Sequence, residues 1–177
     1  MRKIILYTAA SQDGFIAASR DDMQWLFQYP HVPEDDGVRA LFERTDTVLV
    51  GGRTYFQHSL MSMIWIDKAP RIVVVSHNEF SPAPKVSYIT KDITANILAL
   101  KREQGKDIML FGGGVLASML IDADLIDEII IDTYPLSLSH GKALFPGAKP
   151  KREEWAETES QEFENGVTRK KIVRKWD

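Results

Sequence analysis

The sequence predicts an α/β fold with a largely parallel sheet, and three observations carry that prediction. Apolar runs rich in β-branched residues recur without strict alternation, helical patterns fall between them, and the C-terminal stretch changes to a hairpin signal. The runs are Ile4 to Ala10, Thr47 to Val50, Arg71 to Ser76, Val86 to Ile89, Asp107 to Phe111 and Glu128 to Thr133. Continuous apolar runs of this kind belong to strands buried on both faces, as in sheets covered by helices above and below. Between them, Asp36 to Arg44 sets Val38, Leu41 and Phe42 at helical spacing, and a second helix runs from Thr54 after Gly51-Gly52-Arg53. Ile93 to Gln104 carries Ile97 and Leu100 and stops at Gly105, and Val115 to Ile121 follows three glycines. At the end of the chain, Glu153 to Phe163 and Val167 to Trp176 flank Glu164-Asn165-Gly166. The Asn-Gly pair predicts an antiparallel hairpin closed by a type I′ turn, with positive φ at both central residues.

A chain of 177 residues is long enough for one domain with a full core, and residues 1–177 are read as one domain. The Pro-rich pieces Ser81-Pro82-Ala83-Pro84 and Phe145-Pro146-Gly147-Ala148-Lys149-Pro150 read as loops inside it. A formal net charge of −3 supplies no basic field, which argues against a nucleic-acid partner. The absence of cysteine excludes disulfides, zinc–thiolate sites and a cysteine nucleophile, and it fits a reducing compartment. Met1-Arg2-Lys3 and the apolar run after it imitate a signal peptide, but Ser11-Gln12-Asp13-Gly14 interrupts the run too early. It reads as the first buried strand of a cytoplasmic protein with no membrane partner. The histidines His31, His58, His77 and His140 have no metal-ligand spacing, so no metal is expected.

Three predicted strands end in small or glycine-rich turns. Ile108 to Phe111 meets Gly112-Gly113-Gly114 and then a helical pattern, an arrangement that brings backbone N–H groups and a helix N-terminus up to a phosphate. A Cβ at these glycines would hold the phosphate away, and one of them is expected to need positive φ. Val50 runs into Gly51-Gly52-Arg53-Thr54, where a guanidinium and a hydroxyl stand at a helix start, and Val75 into Ser76-His77-Asn78. The first strand runs into Ser11-Gln12-Asp13-Gly14-Phe15-Ile16-Ala17, at the edge where open α/β sheets hold ligands. Asp13 is therefore a candidate substrate-binding residue; the competing reading of that loop is an Asp-Gly turn at a strand end.

These segments, with Leu125-Ile126-Asp127-Glu128-Ile129, Pro135 and Gly141-Lys142-Ala143-Leu144-Phe145, resemble in order and spacing the dihydrofolate-reductase-like family. The resemblance covers nearly the whole chain and is closest to the branch that includes the reductase domain of bacterial riboflavin biosynthesis. It implies a three-layer fold with helices on both faces of the sheet, NADPH along the strand ends, and hydride transfer to a small pterin- or pyrimidine-like substrate. By position, it implies that Gly112, Gly113, Gly114, Val115 and Leu116 cradle the pyrophosphate. Gly51, Gly52, Arg53, Thr54 and Ser76 would meet the adenosine phosphate side, and Ala9, Ile16 and Ala17 would line the nicotinamide. It also implies a homodimer, although no stretch of sequence marks an interface.

The chain departs from the family pattern at three places. Gly52 stands where the family has arginine, which leaves NADH open beside NADPH unless Arg53 replaces it; Phe56 stands at a glutamate position, and Ser139 at a glycine position. In folate reductases the proton donor lies at the start of the helix before the Gly-Arg strand, a position that falls on Asp35; its rival role is an ordinary acid at a helix N-terminus. Asp132, an acid in an apolar strand, is a second candidate for the proton donor at the substrate site, its rival reading a solvated acid at the strand end, and Trp25 is a candidate to stack on a flat heterocycle or to anchor its loop. Met61-Ser62-Met63-Ile64-Trp65 reads as core packing or an apolar lip. Arg20, Lys68 and Lys142 are the cations available to a phosphorylated substrate. The alternatives within this class are reduction of a phosphoribosylamino-pyrimidine in riboflavin biosynthesis and reduction of dihydrofolate. From another class, a dinucleotide-binding module without catalysis fits the altered Gly51 to Phe56 motif.

Overall fold

The elements follow one another as β1 (Ile4–Ser11), β2 (Phe15–Ala17), α1 (Gly37–Arg44), β3 (Thr45–Gly51), α2 (Gly52–Leu60), β4 (Arg71–Val75), β5 (Val86–Ile89), α3 (Ile93–Arg102), β6 (Asp107–Phe111), α4 (Gly114–Asp122), β7 (Glu128–Tyr134), β8 (Lys142–Ala143), β9 (Trp155–Glu162) and β10 (Thr168–Arg174). The structure, a computed structural model, describes residues 1–29, 37–60, 69–78, 83–112, 114–148 and 152–175. Eight strands make one sheet in the order β5-β4-β3-β6-β1-β7-β10-β9. Every pair from β5 to β7 is parallel, and β10 joins β7 and β9 antiparallel.

Successive residues of a strand face opposite sides of the sheet, so a strand covered on both sides needs apolar residues at every position. Ile4 and Ile5 are neighbours, and neither has any exposed surface. Ile4, Leu6, Leu49, Ile108, Leu110 and Ile129 pack with Ile97 and Leu100 of α3 and Leu116 and Leu120 of α4. Ile5, Val48, Val50, Val74 and Met109 pack on the other face with Leu41 of α1. These are the three layers that the resemblance implies.

The C-terminal hairpin forms, but not with the predicted turn. Gly166 has φ of +81°, and Asn165 is not among the residues with positive φ. The Gly166 N–H donates to the Phe163 carbonyl at 2.8 Å, the Phe163 N–H to the Val167 carbonyl at 2.9 Å, and the Val167 N–H to Asn165 Oδ1 at 3.1 Å. This is a three-residue loop with one left-handed glycine, rather than a two-residue type I′ turn. Asn165 contributes through its side chain, whose Oδ1 accepts the N–H two residues on, and the longer loop needs only one positive φ.

Candidate functional site

The parallel strands all end at one edge of the sheet, and a cleft of about 360 Å³ opens there. Gly51 to Thr54 form one wall, Val75, Ser76 and His77 a second, and Gly114, Val115, Leu116 and Met119 of α4 a third, with Ile93 and Lys142 closing it. Helix α2 starts at Gly52, earlier than the sequence suggests, so Arg53 and Thr54 occupy its first turn. The first residues of three helices, Gly52 of α2, Ile93 of α3 and Gly114 of α4, therefore meet in the cleft, and their N-termini direct partial positive charge toward it. Arg53, His77 and Lys142 lie around it, and among its described lining residues there is no carboxylate.

The glycines of this edge have separate reasons. A Cβ at Gly51 would meet no protein atom within 4 Å, so this position is open space inside the cleft. A Cβ at Gly52 would stand 2.7 Å from Ser76 Oγ and 2.8 Å from Ser76 Cβ. The close approach of Ser76 thus prevents any side chain, including the family's arginine, at position 52. Gly112 has φ of +61°, as expected of one residue in this turn, and a Cβ there would meet Thr54 at 3.2 Å. At Gly114 a Cβ would stand 2.7 Å from the Ala143 carbonyl oxygen and 3.0 Å from that of Leu144. At Gly112 the left-handed φ, and at Gly114 the carbonyls of Ala143 and Leu144, favour glycine independently of any phosphate. Gly113 lies outside the described residues.

Lys142 reaches the cleft from β8, which pairs with β2 through Phe15–Ala143 and Ala17–Lys142. Ile16 and Ala17 are buried and Ala9 half-buried; none of the three is among the described lining residues, and the pairing of β2 with β8 connects Ile16 and Ala17 to the strand that carries Lys142. Of the other cations, Arg20 is exposed in a short turn away from the cleft lining, and Lys68 lies outside the described residues. So do Asp35 and the Met61 to Trp65 segment, both singled out by the sequence. Phe56, at the family's glutamate position, is exposed.

Asp13 fastens two loops together. Its Oδ1 accepts the Ser11 hydroxyl at 2.6 Å and the Leu138 N–H at 3.1 Å, and its Oδ2 accepts the Ser139 N–H at 2.8 Å. Ser139, at the family's glycine position, keeps a left-handed φ of +63°. The Ser11 hydroxyl, which outweighs the opposing desolvation, and then the backbone N–H groups of Leu138, Ser139 and Asp13 itself hold the Asp13 carboxyl below its usual range. A carboxyl lowered in the folded state contributes stability above its unfolded value of about 3.9, and loses it as pH falls through the lower folded value. The Leu138 and Ser139 amide chemical shifts are accordingly expected to titrate with a midpoint below about 3.9. A midpoint at or above that value, or an unchanged titration in Asp13→Asn, would count against this role.

Further along the sheet, Asp132 is buried and held by Arg169, whose Nε and Nη2 each lie 2.6 Å from a carboxylate oxygen. The Tyr7 hydroxyl donates to Asp132 Oδ2 at 2.8 Å. The Arg169 guanidinium stands 5.2 Å from the Phe163 ring centre and 5.9 Å from that of Tyr7. Trp25 is buried, edge-on to Tyr134 at 5.3 Å, and Tyr29 meets the same ring at 5.1 Å. Sequence reasoning passed over Tyr7 and Arg169. Tyr7 looks like one more residue of a buried strand, and Arg169 opens a run of three cations that reads as a solvated edge. Ile93 and Met119, which line the cleft, read as ordinary helix residues for the same reason.

A largely parallel sheet between two helical layers, with a hairpin at one edge and a cleft along the strand ends, defines a dihydrofolate-reductase-like α/β protein. The chain belongs to the RibD C-terminal domain family, whose model matches residues 2–169. It is 31% identical to YwjB of Bacillus subtilis (strain 168), an uncharacterized protein, over 81% of this chain and 83% of that one. The crystal structure of a candidate riboflavin biosynthesis protein from Shewanella sp. PV-4 superposes with a TM-score of 0.80 at 27% identity, covering 98% of this chain and 99% of that one. Dihydrofolate reductase from Enterococcus faecalis, solved with NADP(H), shares the fold with a TM-score of 0.65 at 18% identity, over 97% of this chain and 96% of the other.

Proposed function

We propose that the protein is a reductase that binds a reduced nicotinamide dinucleotide, NADPH in preference to NADH, and reduces a small pterin- or pyrimidine-like substrate. The cleft carries this reading: three helix N-termini, Arg53, Lys142 and His77 surround it, and no carboxylate lines it among the described residues. Sites that favour the unphosphorylated dinucleotide usually place an acid on the ribose 2′-hydroxyl, and sites for the phosphorylated one place a cation there. Gly51 leaves room for backbone to approach a phosphate, and Ser76 and Thr54 offer hydroxyls beside it. Val115 and Met119, the exposed apolar side chains of α4, offer a wall to an aromatic base.

A bound dihydronicotinamide would supply the hydride. The protein's part is to hold the two rings together and to keep the phosphates neutralised. Membership of the RibD C-terminal domain family supports the reaction class, and the similar Shewanella protein is named for riboflavin biosynthesis.

Titration with NADPH and with NADH, followed by tryptophan quenching and energy transfer to the nicotinamide, tests the reading. NADPH is expected to bind more tightly. Arg53→Ala should weaken NADPH by about tenfold, the value of one charge-assisted phosphate contact, and leave NADH nearly unchanged. Absence of binding by both dinucleotides would end the reductase reading. Equal losses for both would move Arg53 from the 2′-phosphate to the shared pyrophosphate.

A further inference from the structure

Lys142 enters the cleft on a slight support. Its strand β8 has two residues and pairs with the three of β2, in a ribbon separate from the eight-stranded sheet. A two-stranded ribbon this short has little stability of its own, so its position must come from other contacts. The Gln12 N–H donates to the Leu136 carbonyl at 2.9 Å and the Leu144 N–H to the Gly14 carbonyl at 3.2 Å. Gly141 passes so close to the Ala17 carbonyl oxygen that a Cβ there would collide with it. The side-chain tie is Asp13. Its carboxylate accepts the N–H groups of Leu138 and Ser139, just before Gly141 and Lys142, together with the Ser11 hydroxyl. Ser11 Oγ in turn accepts the N–H of Phe15, the first residue of β2, at 3.0 Å. One carboxylate thus fixes the end of β1, the start of β2 and the approach to β8. Asp13 is not among the described lining residues of the cleft, whereas Lys142 is, so the route from Asp13 to a ligand there runs through the segment it holds.

Resting on the reductase reading above, we propose that Asp13 is a positioning residue for dinucleotide binding, which holds residues 136–144 so that Lys142 presents its charge in the cleft. A lysine ammonium is a point charge on a flexible stem, so the place of its backbone decides how much ordering a phosphate contact requires. Both carboxylate oxygens take part. An ionised carboxylate accepts from two amides at once, whereas an asparagine offers one acceptor oxygen and an NH2 group that opposes an N–H. Without the tie, β8 keeps its pairing with β2 but loses the anchor on the chain leading into it, and the Lys142 ammonium spreads over more positions.

A double-mutant cycle on the full chain tests this, with NADPH affinity read by tryptophan quenching and energy transfer. Lys142→Ala is expected to weaken NADPH by about tenfold. Asp13→Ala should weaken it by about fivefold when Lys142 is present, and by less than about twofold once Lys142 is alanine. Asp13→Asn should fall between wild type and Asp13→Ala. A merely structural role for Asp13 would give the same loss in both backgrounds, because it would not pass through the lysine. If Asp13→Ala fails to fold, as read by circular dichroism, the cycle built with Asp13→Asn decides by the same comparison. The inference is overturned if the Asp13 variants bind NADPH like wild type, if their losses simply multiply with that of Lys142→Ala, or if Lys142→Ala has no effect. Failure of wild type to bind either dinucleotide removes the reductase reading and this inference with it. NADPH binding by wild type, with any of the overturning results in the variants, removes the inference alone.

Discussion

Asp127→Ala is expected to lower stability by about 3–5 kcal/mol, the usual consequence of leaving one member of a buried ion pair without its partner. Asp127 Oδ2 lies 2.6 Å from the Lys101 ammonium and accepts the Ile4 N–H at 2.7 Å. Lys101 is 3% exposed, and its second partner is the Leu125 carbonyl at 2.9 Å. The carboxylate thus ties α3 to the first residue of the central strand β1, and its loss leaves a buried cation facing a single carbonyl. Since small domains are stable by roughly 5–15 kcal/mol in total, the variant should sit near the edge of folding. Urea unfolding followed by circular dichroism measures this. The double variant Asp127→Ala, Lys101→Met should recover a large part of the loss, because the uncompensated charge goes with the lysine. A loss below about 1 kcal/mol in the single variant, a value typical of exposed pairs, would mean that water reaches the pair freely.

Gly114→Ala has the second large expected effect, and it acts on both stability and binding. The new methyl group would stand 2.7 Å from the Ala143 carbonyl oxygen, 3.0 Å from that of Leu144 and 3.0 Å from Pro146 Cδ. Backbone must move to admit it, at a cost of about 1–3 kcal/mol that outweighs the helix propensity gained. The segment that has to move carries Lys142, so dinucleotide affinity should fall by about tenfold or more with the displaced contact. Gly51→Ala separates the two causes. A Cβ there meets no protein atom, so stability should stay within about 0.5 kcal/mol while dinucleotide binding weakens. If Gly114→Ala unfolds at the wild-type urea midpoint and binds NADPH normally, the packing of residues 142–146 against α4 is looser than this geometry requires.

Much of the frame was legible because the physics that makes it is local and periodic. Runs such as Ile4 to Ala10 and Asp107 to Phe111 are apolar at successive positions because both sheet faces are covered, and the structure places them as β1 and β6 at the centre of the sheet. The strand-end turns at Gly51, at Ser76 and at Gly112 and Gly114 were legible as well, and each contributes lining residues to one cleft, the last through Gly114. The turn of the final hairpin was not, since Asn-Gly suits more than one loop length and the pairing of Phe163 with Val167 decides between them. Asp13 shows another limit. An acid in a loop beside a ligand edge reads as a ligand contact, whereas its oxygens accept N–H groups from Leu138 and Ser139, more than a hundred residues away in sequence.

What the sequence by itself determined is the order of the elements, the double burial of the central strands and the edge of the sheet at which the cleft opens. Those follow from periodicity, from glycine and proline punctuation and from the rule that parallel strands end together. Only the tertiary structure decided which side chains converge there. Arg53 and Lys142 come to one cleft from turns far apart in the chain, Ser76 excludes a side chain at Gly52, and Tyr7, Asp132 and Arg169 meet across three strands. Each of these depends on strand register and on close approach between distant segments, and no single stretch of sequence contains either.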